Sequence, residues 1–340
     1  MKAVVVESPF NIKISDVPAP KIENPDEVLI KVKCGGICGS DIGIYKGTNS
    51  LASYPRIIGH EFGGFVEAVG SKVKNLKVGD LVAVDPVRPC GHCYACTHDR
   101  YNVCNDLEVI GVHRDGGFAE YAVAPEKNVY KLDPNKVPAE LSCLVEPYSI
   151  GVQVNCRAEI TADDKVLIMG SGPIGCSIMQ VAKSRGAWVM MTDIEDKRLE
   201  KAKDMGADLV VNVKHEDLEK IVMENTNNEG IPVVVDSVCS LESLPQAMEL
   251  ACPAGRVICL GLRSEPSQIP MVNFTKKELD VRGSRVNKGR FPEVIELFEK
   301  GLVTPAKMRT HTFPFEKITD ALDFLKEHPE DVCKITLSFD

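Results

Sequence analysis

The stretch "KVLIMGSGPIGCSIMQVAKSRGAWVMMTD", residues 165–193, constrains this chain more than any other. An apolar run leads into Gly170, Gly172 and Gly175, spaced G-x-G-x-x-G, and a helical pattern and a second apolar run follow. In a strand–turn–helix unit each glycine has a mechanical use: the tight turn, close approach of backbone N–H groups to a pyrophosphate, and close packing of helix on strand. Pro173 and Ile174, between the last two glycines, belong to the same candidate cofactor-binding turn. The second apolar run ends in Asp193, 18 residues beyond Gly175, where a carboxylate can accept the hydroxyls of an adenosine ribose. Such an acid repels a 2′-phosphate, which favours NAD over NADP. Arg198 stands on the next helix within reach of a phosphate, but its acidic neighbours in "LEKAKDMGAD" support a solvated helix face instead.

The alternation of short apolar strands with helices continues through "PVVVDSV", "LPQAMELACPAG", "RVICLGL" and "ELDVRGS", which predicts a parallel sheet with crossover helices over 150–286. Residues 1–149 read differently. Short β-rich runs such as "KAVVVE", "EVLIKVKCGG" and "GGFVEAVG" alternate with Gly, Pro and Asn/Asp turns, the pattern of an irregular, mainly β domain. After 287 come a helix ("FPEVIELFEKG"), a linker with Pro305, a second helix ("KITDALDFLKEH") and a final strand ("CKITLSF"). This tail is too small to fold alone and is expected to return to the first domain. The expected domains are therefore 1–149 with 287–340, and 150–286.

A chain of 340 residues, 44% apolar and 26% charged, is folded almost throughout. Its formal charge of −9, without segregated basic residues, argues against nucleic acid or an anionic membrane as partner. No apolar run approaches the ~20 residues of a membrane span. "MKAVVVESPF" is no secretion signal, so the expected location is the cytoplasm.

Thirteen cysteines without that signal point to reduced thiols or metal thiolates rather than a disulfide framework. Cys90, Cys93, Cys96 and Cys104 lie in "CGHCYACTHDRYNVC", a spacing that closes around one tetrahedral zinc and leaves no position for a substrate. Iron–sulfur ligation is the rival, but there the fourth cysteine is typically distant and followed by proline, whereas Asn105 follows Cys104. His92 and His98 read as bystanders. Cys34, Cys143, Cys156, Cys176, Cys239, Cys252, Cys259 and Cys333 mostly sit among apolar neighbours and read as small core hydrophobes.

A second constellation is scattered: Cys38, Ser40 and Asp41 in "GGICGSD", His60 and Glu61 in "IIGHEFGG", and Glu146 in "LVEPYSIG". Singly, each is ordinary packing. Together they offer one thiolate, one imidazole and one or two carboxylates, the mixed set of a zinc that keeps a position for water or substrate. Such a metal beside a nicotinamide suits alcohol oxidation.

Over essentially its whole length the chain resembles the zinc-dependent medium-chain dehydrogenases/reductases, with "GHEFGGFVEAVG", the four-cysteine lobe, "GGFAEYAV", "EP" and "GSGPIG" with Asp193 in family order. The resemblance implies an α/β chain: a Rossmann doubly wound parallel sheet plus a GroES-like, mainly β catalytic domain, with the lobe at about 88–106 and the active site in the cleft between domains. It implies two zinc ions per subunit, a catalytic one on Cys38, His60 and Glu146 and a structural one on the four cysteines. Glu61 resembles a residue that ligates zinc directly or through water. Zinc would bind the substrate hydroxyl and lower its pKa, and hydride would pass to NAD. Ser40 resembles the hydroxyl that begins the family's proton relay, and Asp41 would orient a metal ligand. Many relatives carry a relay histidine where this chain has Gly43. Water, the ribose or another side chain is expected to replace it.

Among the branches, "VDPVRPCGHCYAC", "VIGVHRDGGFAEY" and "RGSRVNKGRFPEVI" look most like sugar-acid dehydrogenases acting on L-gulonate or L-galactonate. Arg285 and Asn287 fall where polyol relatives place substrate contacts, and His113 and Arg114 lie in a glycine-flanked loop near the cleft. An arginine fork matches a carboxylate. An internal ion pair is the competing reading for Arg285. A neutral polyol such as sorbitol or xylitol, and L-threonine, are the alternative substrates. A non-catalytic NAD-binding scaffold or redox sensor is the reading from another class, though it needs no open zinc site. Relatives are often homotetramers, so a tetramer or dimer is expected.

Overall fold

The structure is a computed structural model that describes residues 1–262 and 264–339. The chain divides into two units, Met1–Ser149 with Asn287–Asp340, and Ile150–Val286.

The second unit is built on a parallel sheet. Its strands run in the order Leu209–Asn212, Trp188–Asp193, Lys165–Met169, Ile231–Asp236, Ala251–Cys259 and Asp280–Gly283, and every pairing is parallel. Val166, Leu167, Ile168, Val189, Met190, Val233, Val234 and Val235 are all fully buried. A parallel sheet covered by helices on both faces needs such unbroken apolar runs, which is why the sequence shows no alternation there.

The first unit is mainly antiparallel. Its principal sheet runs Val129–Lys131, Leu81–Val84, Glu61–Val69, Glu27–Gly36, Lys334–Ser338 and Arg309–Pro314, with Tyr121–Pro125 also paired to Glu27–Gly36. The tail supplies two of these strands, and its helices Phe291–Glu299 and Ile318–Glu327 bury Phe291, Val294, Ile318 and Ala321. The stretch expected to be a linker around Pro305 instead forms a short helix, Pro305–Met308, and the strand Arg309–Pro314, parallel to Lys334–Ser338. That strand, "RTHTFP", is half-exposed and carries one apolar side chain, so no periodicity announced it. A two-stranded ladder of Val87–Arg88 with Glu108–Val109 forms the neck of the four-cysteine lobe. No helix among the described residues is long and apolar enough to cross a membrane.

Candidate metal centres and dinucleotide site

Cys38 immediately precedes the helix Gly39–Lys46, and Asp41, buried in its first turn, ties two loops together. Asp41 Oδ2 accepts the Cys38 N–H at 2.8 Å, and Oδ1 accepts the Gly59 N–H at 3.3 Å. The same Oδ1 lies 3.6 Å from His60 Nδ1, an ion-pair contact rather than a hydrogen bond. Asp41 therefore favours a proton on Nδ1 and leaves the Nε2 lone pair for a metal. Ser40 Oγ stands 3.4 Å from that Nε2.

One ligand atom from each of Cys38, His60 and Glu61 falls within 4.8 Å of the others. Burial lowers the His60 pKa, but the charges of Asp41 and Cys38 outweigh it and hold the ring well above its ordinary value. Burial pushes Glu146 to about 8, with His60 lowering and Glu61 raising it. A half-buried thiolate with a buried imidazole and a buried carboxylate together fit zinc. Glu146, 6% exposed in the first turn of Val145–Ala158, feels these charges but is not among the three converging ligand atoms.

Glu61 has a partner that sequence reading missed. Lys334 donates to both its carboxylate oxygens at 2.8 Å and to the Ile37 carbonyl at 3.1 Å. The two residues sit on strands flanking Glu27–Gly36, whose Gly36 is paired with Glu61. A Cβ at Gly36 would lie 2.1 Å from Glu61 Oε2, so glycine leaves the space through which the carboxylate reaches the lysine. The available signal was a lone lysine inside the apolar strand "CKITLSF".

The four lobe cysteines converge as a set. Their Sγ atoms lie 3.5 Å (Cys93 to Cys96), 3.8 Å (Cys93 to Cys104) and 3.9 Å (Cys90 to Cys96) apart. Four thiolates at ~2.3 Å from a tetrahedral zinc place their sulfurs about 3.8 Å apart, so the set fits the ion. The backbone N–H of Asn105, then that of Cys96, draw the Cys93 thiol down to about 6, and the Cys90 N–H reaches Cys104 Sγ at 3.3 Å. Of the other cysteines, Cys34, Cys143, Cys176 and Cys333 are buried, while Cys156, Cys239, Cys252 and Cys259 are half-buried.

In the second unit, a cavity of about 480 Å³ is lined by Gly170, Gly172, Pro173, Ile174, Gly175 and Asp193. Gly170 adopts φ +96°, and a Cβ at Gly175 would lie 2.0 Å from the Gly170 carbonyl, whereas Gly172 faces open space. Asp193 Oδ2 accepts the Ser171 N–H at 2.9 Å and Oδ1 the Ile194 N–H at 2.8 Å. Arg198 lines the same cavity, its Nη1 3.9 Å from Asp193 Oδ1.

The substrate candidates are divided between the units: Asn287, His113 and Arg114 lie in the first and Arg285 in the second. Asn287 is fully buried, donating to Asp85 Oδ1 at 3.1 Å and accepting from the Arg290 N–H at 3.4 Å. Both of these partners lie within the first unit. His113 Nδ1 accepts the Val109 N–H at 3.0 Å, and Arg114 pairs with Glu108 at 2.6 Å. Arg285 is half-buried in the second unit.

A parallel-sheet unit with a dinucleotide turn, joined to a β unit holding two zinc-type ligand sets, defines a zinc-binding, NAD-dependent oxidoreductase. Residues 24–134 match the alcohol dehydrogenase GroES-like domain and residues 173–300 the zinc-binding dehydrogenase family. The chain is 43% identical to the starvation-sensing protein RspB of Escherichia coli K12, covering 100% of this chain and 99% of that one. A crystal structure of rspB from E. coli CFT073 with NADH superposes with a TM-score of 0.92 at 41% identity, covering 100% and 99%. Sorbitol dehydrogenase of Bacillus subtilis 168 is 34% identical, covering 98% and 96%. L-threonine 3-dehydrogenase of Thermococcus kodakarensis is 36% identical, covering 96% and 95%. The chain belongs to the zinc-type medium-chain dehydrogenases/reductases, in the branch that includes polyol, sugar-acid and threonine dehydrogenases.

Proposed function

We propose that this protein oxidises a secondary hydroxyl of a small neutral polyol, of the sorbitol or xylitol type, to the ketone with NAD. The observation that carries the chemistry is the convergence of one ligand atom each from half-buried Cys38 and buried His60 and Glu61, a set that could hold a metal ion. When bound there, zinc supplies Lewis-acid polarisation of the substrate hydroxyl, and NAD takes up the hydride. Ser40 Oγ receives the hydroxyl proton and passes it outward. Asp41 holds the His60 tautomer, and Glu146 is the further carboxylate available to the same ion. The four-cysteine set would hold a second, closed zinc that fixes the lobe.

Asp193 supports NAD over NADP, since its carboxylate lines the cavity where a 2′-phosphate would stand. The likeness to sorbitol dehydrogenase supports a polyol. L-threonine is the second reading, on the likeness to L-threonine 3-dehydrogenase. A homo-oligomer, tetramer or dimer, accompanies this reading, and sedimentation velocity tests it. The substrate test is an NAD-reduction screen across sorbitol, xylitol, L-threonine, L-gulonate and L-galactonate. Turnover is expected with a polyol; turnover of the hexonates alone would return the sugar-acid assignment.

A further inference from the structure

Four consecutive residues, Asn287 to Arg290, converge on the four-cysteine lobe and its base. Asn287 Nδ2 donates to Asp85, which sits just before the neck strands and also accepts the Val87 N–H. Lys288 Nζ reaches the Asp99 carbonyl at 2.9 Å and pairs with the Asp99 carboxylate. Asp99 stands between Cys96 and Cys104, inside the loop that the four thiolates close. Gly289 has φ +62°, and a Cβ there would lie 2.9 Å from the hydroxyl of Tyr101, a second residue of that loop. Arg290 adds its charge beside Asp99 and Tyr101.

Directly before this segment stands Val286 at φ +38°. A β-branched residue in the left-handed region is strained and persists only where its surroundings hold it. It is also the last residue of the second unit, so the strain falls where the chain re-enters the first.

We propose that the four-cysteine lobe is the anchor for the returning chain: the zinc-closed loop, through Asp99 and Tyr101, holds residues 287–290 and keeps Val286 in its strained conformation. The inference rests on zinc occupying the four-cysteine site. Ordering of the segment and retention of that zinc are then linked equilibria, and each favours the other to the same degree.

The test uses the full-length, zinc-loaded protein with its zinc content measured first. Mercurial titration of the lobe thiols, with released zinc read by a chromophoric chelator, gives the release rate. Lys288→Met should speed release roughly two- to fivefold, the range for one part-exposed ion pair. Asn287→Ala, which also empties a buried site, should speed it further if it folds. In wild-type protein, removing the lobe zinc should raise hydrogen–deuterium exchange at 285–290 selectively over the strand Lys165–Met169. Unchanged release in Lys288→Met, or unchanged exchange at 285–290 after zinc removal, overturns the anchor. A protein whose lobe cysteines bind no zinc would overturn the zinc assignment itself, and the anchor with it.

Discussion

Lys334 Nζ lies 2.8 Å from both carboxylate oxygens of Glu61, in a pair whose side chains are only 2% and 1% exposed. Glu61 is also one of three ligand atoms that converge on a metal position. One carboxylate is therefore within reach of a fixed lysine and of any metal ion that Cys38 and His60 would hold with it. The glycine at 36 is what lets it face the lysine.

Removing the lysine leaves a buried carboxylate without its partner, a change that typically costs about 3–5 kcal/mol. Lys334→Met is expected to lose stability of that order in zinc-free protein. Added zinc should narrow the gap, because the ion offers Glu61 another partner. Thermal unfolding with and without zinc measures both, and Lys334→Met with Glu61→Gln should be less damaging than the two single losses summed.

Ser40 and Gly43 share one helix but carry unequal weight. Ser40→Ala should reduce kcat by about 10²-fold or more, the scale of a lost proton-transfer group. A Cβ at Gly43 would meet its nearest neighbour, Asn49 Cβ, at 3.5 Å, an ordinary contact. Gly43→Ala should therefore stay within about twofold of wild type, since it removes no such group. Steady-state rates of the two variants decide, and equal losses would refute the relay.

Asp193→Asn keeps one oxygen to accept the Ser171 N–H, loses the acceptor that now takes the Ile194 N–H, and removes the charge that would face a bound ribose. NAD use should weaken by about 10-fold, the scale of a charged hydrogen bond to a ligand. NADP should lose much less, so the ratio of kcat/KM values for the two coenzymes reports the effect directly.

Much of the fold was legible because its signals are local. Gly170, Gly172 and Gly175 sit in a short window, and fully buried runs such as "VVVD" announce a sheet covered on both faces. The lobe cysteines lie within fifteen residues. What was not legible depends on register between distant strands. Nothing near Lys334 in sequence says that it will face Glu61, 273 positions away. Asn287 was singled out by resemblance to the substrate contacts of polyol relatives, and nothing near it in sequence says that its amide will donate to Asp85, 202 positions away. "RTHTFP" became a strand through pairing with the last strand rather than through its own pattern.

Asp85 gives a pH signature. Burial raises its pKa from 3.8 to about 6, offset in part by the Val87 N–H and the Asn287 amide. The folded state thus holds a proton that the unfolded state has released between about pH 4 and 6, and this group's contribution to stability falls as pH rises through that window. Above about pH 6 it levels off. Asp85→Asn should abolish this part of the pH dependence and raise stability at pH 7 by on the order of 3 kcal/mol at most. Denaturant unfolding at several pH values checks the slope.

The central claim is the division of labour between the two cysteine sites, with chemistry at Cys38 and architecture at Cys93. The direct measurement is NADH formation from the preferred substrate, per folded chain with its zinc counted, for Cys38→Ser and Cys93→Ser side by side. The account predicts that Cys38→Ser folds but loses about 10³-fold or more in kcat, as expected when a catalytic metal is misplaced. Cys93→Ser should lose stability or assembly first, while its folded fraction still turns over. A folded Cys93→Ser protein without turnover, beside an active Cys38→Ser protein, would contradict it.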